Sequence, residues 1–141
     1  MKKNLIILLF LLSFNSAYAG LNNTVQCPEK ISVAQSVSEK YAGWRSITAE
    51  PNYYLSSITF YSGKPEENAS LAPDTSKNDK STWTFSPNEQ IYLTCEYNQT
   101  NIQLTQALPV HITRCTVLYD ANVRSSSGGF LPKSVQCASG K

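Results

Sequence analysis

Four cysteines, one histidine and one adjacent pair of carboxylates hold most of the chemistry open to this chain of 141 residues. Cys27, Cys95, Cys115 and Cys137 are separated by 67, 19 and 21 residues, and no C-x-x-C occurs. The usual redox motif and the paired knuckles of a zinc ribbon are therefore missing. In an oxidising compartment an even set of cysteines pairs by default, so two disulfides are expected. Four cysteines allow three pairings, and spacing does not choose among them. The favoured set is Cys95–Cys115, joining inward-facing positions of neighbouring β segments, with Cys27–Cys137 tying the chain ends.

His111 is the sole histidine. A Ser-His-Asp hydrolase would have to use it, with a serine such as Ser62 and an acid such as Asp120. No G-x-S-x-G surrounds any serine, and His111 follows Pro109 by two residues in what reads as a surface turn. A solvated histidine is the expectation, and one histidine without free thiols makes a poor transition-metal set. Glu66 and Glu67 are the adjacent acids. A glycosidase needs carboxyls facing each other across ~5–9.5 Å, whereas neighbours in an extended loop diverge. They read as solvated acids, or as caps on the turn starting at Pro65. No catalytic, cofactor or metal residue is assigned, and a non-enzymatic protein is expected.

The elements that would position these residues begin with a leader. Lys2 and Lys3 precede the apolar run Leu5–Leu12, and Ala17-Tyr18-Ala19 supplies small residues before a cut at Gly20. The run is well short of the ~20 residues that cross a bilayer. Cys27 lies too far past the cut to take a lipid anchor. Residues 1–19 are thus expected to be a cleaved Sec-type signal peptide and 20–141 a single β domain. The periplasm is the expected destination, with secretion further out also open. The formal charge of +2 includes Lys2 and Lys3, so the mature chain balances to zero. Bulk attraction to nucleic acid or anionic membrane goes with them.

Along the mature chain, alternation predicts strands. Ile31 and Val33 begin the first, and Trp44–Ile47 is placed in a second after Gly43. Tyr53–Tyr61 follows, with Ile58 and Phe60 on one face and Thr59 and Tyr61 on the other. Ser62-Gly63-Lys64-Pro65 ends it by turn chemistry. A long polar segment, 66–81, reads as a functional or mobile loop, with mobility the preferred reading. Thr82–Phe85 alternates, Pro87-Asn88 turns, and Ile91, Leu93, Cys95 and Tyr97 share a face. A hairpin loop at 98–101 leads to Ile102 and Leu104. Leu108-Pro109 interrupts pairing, and Cys115, Val117 and Tyr119 alternate. Asp120–Asn122 is read as a turn, Ser125–Gly129 as a loop and Ser134–Cys137 as the last strand. About seven to eight short antiparallel strands make an all-β, disulfide-stapled sandwich or small barrel.

Tyrosines add a recognition signal. Tyr53 and Tyr54 are consecutive in a strand, so one ring is expected at the surface, and Tyr92 faces away from Ile91 and Leu93.

The order Cys27-Pro28, Gly43-Trp44, Phe60-Tyr61-Ser62-Gly63-x-Pro65-Glu66-Glu67, Thr82-Trp83-Thr84-Phe85, Cys95-x-Tyr97, Leu108-Pro109 and Cys115-x-Val117-x-Tyr119-Asp120 resembles a family of small uncharacterised exported proteobacterial proteins. That resemblance implies a periplasmic single domain and brings no activity, cofactor or catalytic residue. In class and compartment the chain also resembles periplasmic lysozyme inhibitors, which present a serine-glycine loop to a glycosidase cleft. By that likeness Ser62 and Lys64 would donate hydrogen bonds to acidic groups of the enzyme. The expected function is a periplasmic binding protein for an envelope or cell-wall protein: an inhibitor or immunity protein against a cell-wall hydrolase. The loop Tyr61, Ser62, Gly63, Lys64, Pro65, Glu66 and Glu67 is the candidate contact. The alternatives are a small hydrolase using His111 or Glu66/Glu67, and an envelope-stress accessory.

Overall fold

The computed structural model describes residues 23–48 and 52–140, and the leader inferred at 1–19 lies outside them. Among the described residues there are ten strands: β1 (Asn23–Val25), β2 (Lys30–Ser32), β3 (Asn52–Ser62), β4 (Ser70–Leu71), β5 (Thr75–Ser76), β6 (Lys80–Thr84), β7 (Ile91–Tyr97), β8 (Gln103–Ala107), β9 (Ile112–Arg124) and β10 (Phe130–Ser139). They form two antiparallel sheets, ordered β1-β10-β9-β6-β5 and β2-β3-β7-β8, with β4 on β3. The sheets curl into a half-barrel. The all-β expectation holds. The strand count exceeds seven to eight because β1, β4 and β5 are only two or three residues long.

The chain alternates between the sheets, and the core forms where they face each other. In β3 the inward set is Tyr53, Leu55, Ile58 and Phe60; in β7 it is Ile91, Leu93, Cys95 and Tyr97. From the first sheet Trp83, Cys115, Val117, Val135 and Cys137 meet them. Phe60, fully buried, has its ring centroid 4.8 Å from Trp83 and 5.5 Å from Phe85, both tilted by about 50°. These tilted contacts bridge the two sheets and add to the area they bury. At the other end, the Ser125 hydroxyl donates to the Ser56 carbonyl at 2.6 Å, joining the β9–β10 hairpin to β3.

Four local expectations change. Trp44–Ile47 is not a strand, because no neighbouring strand pairs with it among the described residues. The 66–81 segment is not one long loop: a short 3₁₀ turn at Pro65–Glu67, then β4 and β5, organise it. Asp120–Asn122 does not reverse the chain. Its side-chain turn, Asn122 N–H to Asp120 Oδ1 at 3.0 Å, is absorbed within β9. There Leu131 pairs with Asp120 while Phe130 pairs with Arg124, so three residues bulge out of the ladder.

The fourth change is the disulfide pairing. The bridges are Cys27–Cys95 and Cys115–Cys137, replacing the favoured Cys95–Cys115 and Cys27–Cys137. Cys115 and Cys137 are direct cross-strand partners on β9 and β10. Cys95 lies in the other sheet, on β7. The chain crosses from β1 in the first sheet to β2 in the second through Gln26–Glu29, which brings Cys27 to Cys95. Cys95 and Cys115 are near in sequence but occupy different sheets.

Candidate functional site

The candidate loop starts where β3 ends. Gly63 takes φ +79, a left-handed value that suits glycine, and its N–H donates to the Gln90 carbonyl at 2.9 Å. A Cβ there would lie 2.7 Å from Glu67 Oε2. Pro65 then opens the 3₁₀ turn with its fixed φ. Glu67 N–H donates to Lys64 O at 2.9 Å, and Asn68, at φ +59, closes the turn with N–H to Pro65 O at 3.0 Å. Ser62 N–H reaches Ala69 O, and Trp83 Nε1 donates to Leu71 O at 3.0 Å, anchoring β4 to the core. The loop is a hydrogen-bonded arm, which the length of the polar segment did not suggest.

The seven loop residues divide by exposure. Lys64, Glu66 and Glu67 are exposed; Tyr61, Ser62, Gly63 and Pro65 are half-buried. The Ser62 hydroxyl donates to Glu89 Oε1 at 2.6 Å, while Glu89 Oε2 receives the Ser86 N–H at 3.0 Å. These bonds, the Ser62 hydroxyl first and the Ser86 amide next, hold the Glu89 carboxyl below its ordinary value of 4.5. The sequence reading missed Glu89. Its signal was the Ser86-Pro87-Asn88-Glu89 string, in which an acid three residues after a serine caps the turn.

The residues weighed for catalysis are not brought into one bonded set. Ser62 bonds Glu89, and Asp120 pairs with Lys133 at 3.7 Å. His111 is exposed in the turn before β9, and Glu66 and Glu67 project from the 3₁₀ turn. No group of three metal-binding side chains occurs among the described residues. Tyr53 is buried and Tyr54 exposed, as their alternation predicts, and Tyr92 is half-buried. Tyr97 is raised above its ordinary value by burial, and its hydroxyl donates to the Pro28 carbonyl at 3.0 Å, beside the Cys27–Cys95 bridge.

A second surface was not legible as such. Between β2 and β3, Val37, Tyr41, Trp44 and Ile47 are 55%, 58%, 85% and 83% exposed. Gly43, at φ +80, makes the turn between Tyr41 and Trp44, and Trp44 N–H donates to Tyr41 O at 3.1 Å. Val37, Lys40, Tyr41, Trp44 and Arg45 line an open hollow of about 680 Å³. Isolated exposed apolar residues are ordinary, but four lie here within eleven residues, and three of them, Val37, Tyr41 and Trp44, line the one hollow. Trp, Tyr and Arg are the residue types that dominate interface energy. The available signal was their spacing, which follows neither the two-residue period of a strand nor the burial of β3.

Among known proteins, the chain is similar to an "Uncharacterized 16.3 kDa protein in trpG 5'region" of Azospirillum brasilense. That protein is 28% identical over 131 residues, covering 84% of this chain and 87% of the relative. No solved structure gives a significant match. Residues 49–138 match the family described as Type VI secretion system Tli immunity protein, a span that holds β3 to β10 and the Ser62–Glu89 arm, and leaves the Trp44 patch outside. With that match over well over half of its length, the chain belongs to the Type VI secretion system Tli immunity protein family.

Proposed function

We propose that this protein is a periplasmic immunity protein that neutralises an envelope-attacking effector by seating the Trp44 patch and the Lys64–Glu67 turn against it. Membership of the family supports an inhibitor or immunity role with a partner effector protein. Two disulfides suit an oxidising compartment, and the leader inferred at 1–19 would deliver the chain there. An immunity protein must meet its effector in the compartment where the effector acts. A periplasmic location therefore selects targets that damage the envelope. A cell-wall hydrolase is the specific target favoured by the sequence.

The observation that carries the contact surface is Trp44, 85% exposed beside Tyr41 and Arg45. A large indole left in water is costly, and burying it against a partner returns that free energy. The Lys64–Glu67 turn is hydrogen-bonded in advance, so it loses little conformational entropy on docking. The protein acts by occupying its partner, without chemistry of its own.

The test is co-production of the protein with the type VI effector of the same strain, scoring survival, complex formation and the effector's product. Protection by wild type and loss of protection by Trp44→Ala are expected. Failure of wild type to protect or bind overturns the immunity reading. Release of lipid products in place of cell-wall fragments would overturn the cell-wall target and leave the immunity role standing. An activity of the isolated protein that disappears in His111→Ala would favour the hydrolase alternative.

A further inference from the structure

The second sheet ends on an unguarded strand. Among the described residues, β1, β2 and β5 are edges only two or three residues long, whereas β8 spans five, Gln103–Ala107, all exposed. Natural edge strands are blunted by charge, proline, bulges or short length. From Ile102 to Leu108 the sequence IQLTQAL has no charge, no proline and no glycine.

The register shows which backbone groups are free. Leu108 N–H donates to Ile91 O at 2.8 Å, and Gln106 and Leu104 lie opposite Leu93 and Cys95. Along a strand, successive residues turn their N–H and C=O to opposite sides. Leu104, Gln106 and Leu108 therefore bond inward to β7. Gln103, Thr105 and Ala107 turn theirs outward, where no strand follows among the described residues. The 3.2 Å contact between the Thr94 and Thr105 hydroxyls fits this register, since side chains approach closest at the non-hydrogen-bonded pairs.

We infer that β8 is a self-association edge, pairing antiparallel with β8 of a second copy about a two-fold axis at Thr105. The three outward residues are symmetric about that axis. Gln103 would face the partner's Ala107, Thr105 the partner's Thr105, and Ala107 the partner's Gln103. Every outward donor and acceptor then finds a complement, giving about six main-chain hydrogen bonds. Leu104 would lie opposite the partner's Gln106, with no like charges across the junction. Leu104 and Gln106 sit on the core side of β8, in register with Cys95 and Leu93. Ile102 and Leu104, 47% and 39% exposed, would be covered as the half-barrel extends into the second copy. A formal charge of only +2 over the whole chain gives little repulsion between copies. Such an edge contact is smaller than a standard ~1,600 Å² interface, so the dimer is weak and concentration-dependent. None of this depends on the immunity reading or on the Trp44 patch.

The test is sedimentation equilibrium of the oxidised protein over a wide concentration range, with amide hydrogen exchange at the two ends of it. Mass should rise from monomer to dimer. The amides of Gln103, Thr105 and Ala107 should exchange more slowly in the concentrated sample, while those of Leu104 and Gln106 are protected in both. Gln103→Pro removes an outward N–H, leaves the β7 ladder intact, and should remain monomeric with an unchanged melting temperature. Should that variant fail to fold, exchange in the wild type decides alone. A monomer at every concentration overturns the proposal, as does a dimer in which the three outward amides stay unprotected.

Discussion

The Glu89 carboxylate receives the Ser62 hydroxyl at 2.6 Å, and through its other oxygen the Ser86 amide at 3.0 Å. One side chain thereby ties the end of β3, where the candidate loop starts, to the turn that leads into β7. The acid serves the geometry of the arm.

This tie predicts a pH dependence. Both bonds favour the ionised form and depress the Glu89 pKa below 4.5 in the folded state. The unfolded chain has the ordinary value, so protonation is easier there. The stabilisation is complete above pH 4.5 and is lost as pH falls through the folded value. Wild type should lose thermal stability in acid more steeply than Glu89→Gln, with the difference confined to that window. Melting curves of the two proteins from neutral to acid pH check it; parallel curves would refute it.

The two bridges predict unequal contributions. Cys27–Cys95 closes a separation of 68 residues and Cys115–Cys137 one of 22. In the chain-entropy account they are worth roughly 4.4 and 3.4 kcal/mol. The Cys27→Ser/Cys95→Ser double variant should therefore lose more stability in denaturant titration than Cys115→Ser/Cys137→Ser. Peptide mapping of the oxidised protein should recover the Cys27–Cys95 and Cys115–Cys137 links.

Neither bridge ties one sheet directly to the other, because Cys115–Cys137 joins strands of one sheet and Cys27–Cys95 the second sheet to the segment that enters it. The shared core, with Phe60 at its aromatic centre, therefore carries most of the sheet association. Phe60→Ala, which empties the space beside Trp83 and Phe85, should cost about 3–5 kcal/mol. Urea unfolding followed by tryptophan fluorescence measures it directly. A loss below about 1 kcal/mol would mean that the Phe60 contacts contribute little to holding the sheets together.

Trp44 predicts the opposite profile. At 85% exposure its removal should change folding stability by less than about 0.5 kcal/mol. Affinity for the effector should fall by about 2 kcal/mol or more, roughly 30-fold. Calorimetric titration of the complex, together with a melting curve of the free variant, separates the two effects. A variant that binds as tightly as wild type removes Trp44 from the contact.

Period-two alternation told the inward faces of β3 and β7 from their outward faces. Ile58, Phe60, Ile91, Leu93 and Cys95 are all buried as their spacing requires. Turn chemistry placed the breaks at Gly63, Asn88 and 98–101, and Gly63 and Asn88 do take positive φ. These are properties of adjacent residues, set by sterics within a few bonds, and one sequence suffices to read them. The Asp120–Asn122 turn is the instructive failure: its local hydrogen bond forms, but pairing with β10 carries the strand through it.

Only the tertiary structure decided which strands are neighbours. The chain passes back and forth between two sheets, so Cys95 and Cys115 separate while Cys27 and Cys95, 68 residues apart, meet. Exposure follows the same rule. Trp44 remains at the surface and β8 remains an open edge because no other element covers them among the described residues, and nothing in their own residues states that. Alternation depends on where each side chain points, whereas pairing and coverage depend on long-range contacts whose loop entropy changes only slowly with separation. The sequence therefore determined the longer central strands β3 and β7, their inward faces and many of the turns. The tertiary structure alone decided the bridges, the Glu89 tie and the surfaces left for a partner.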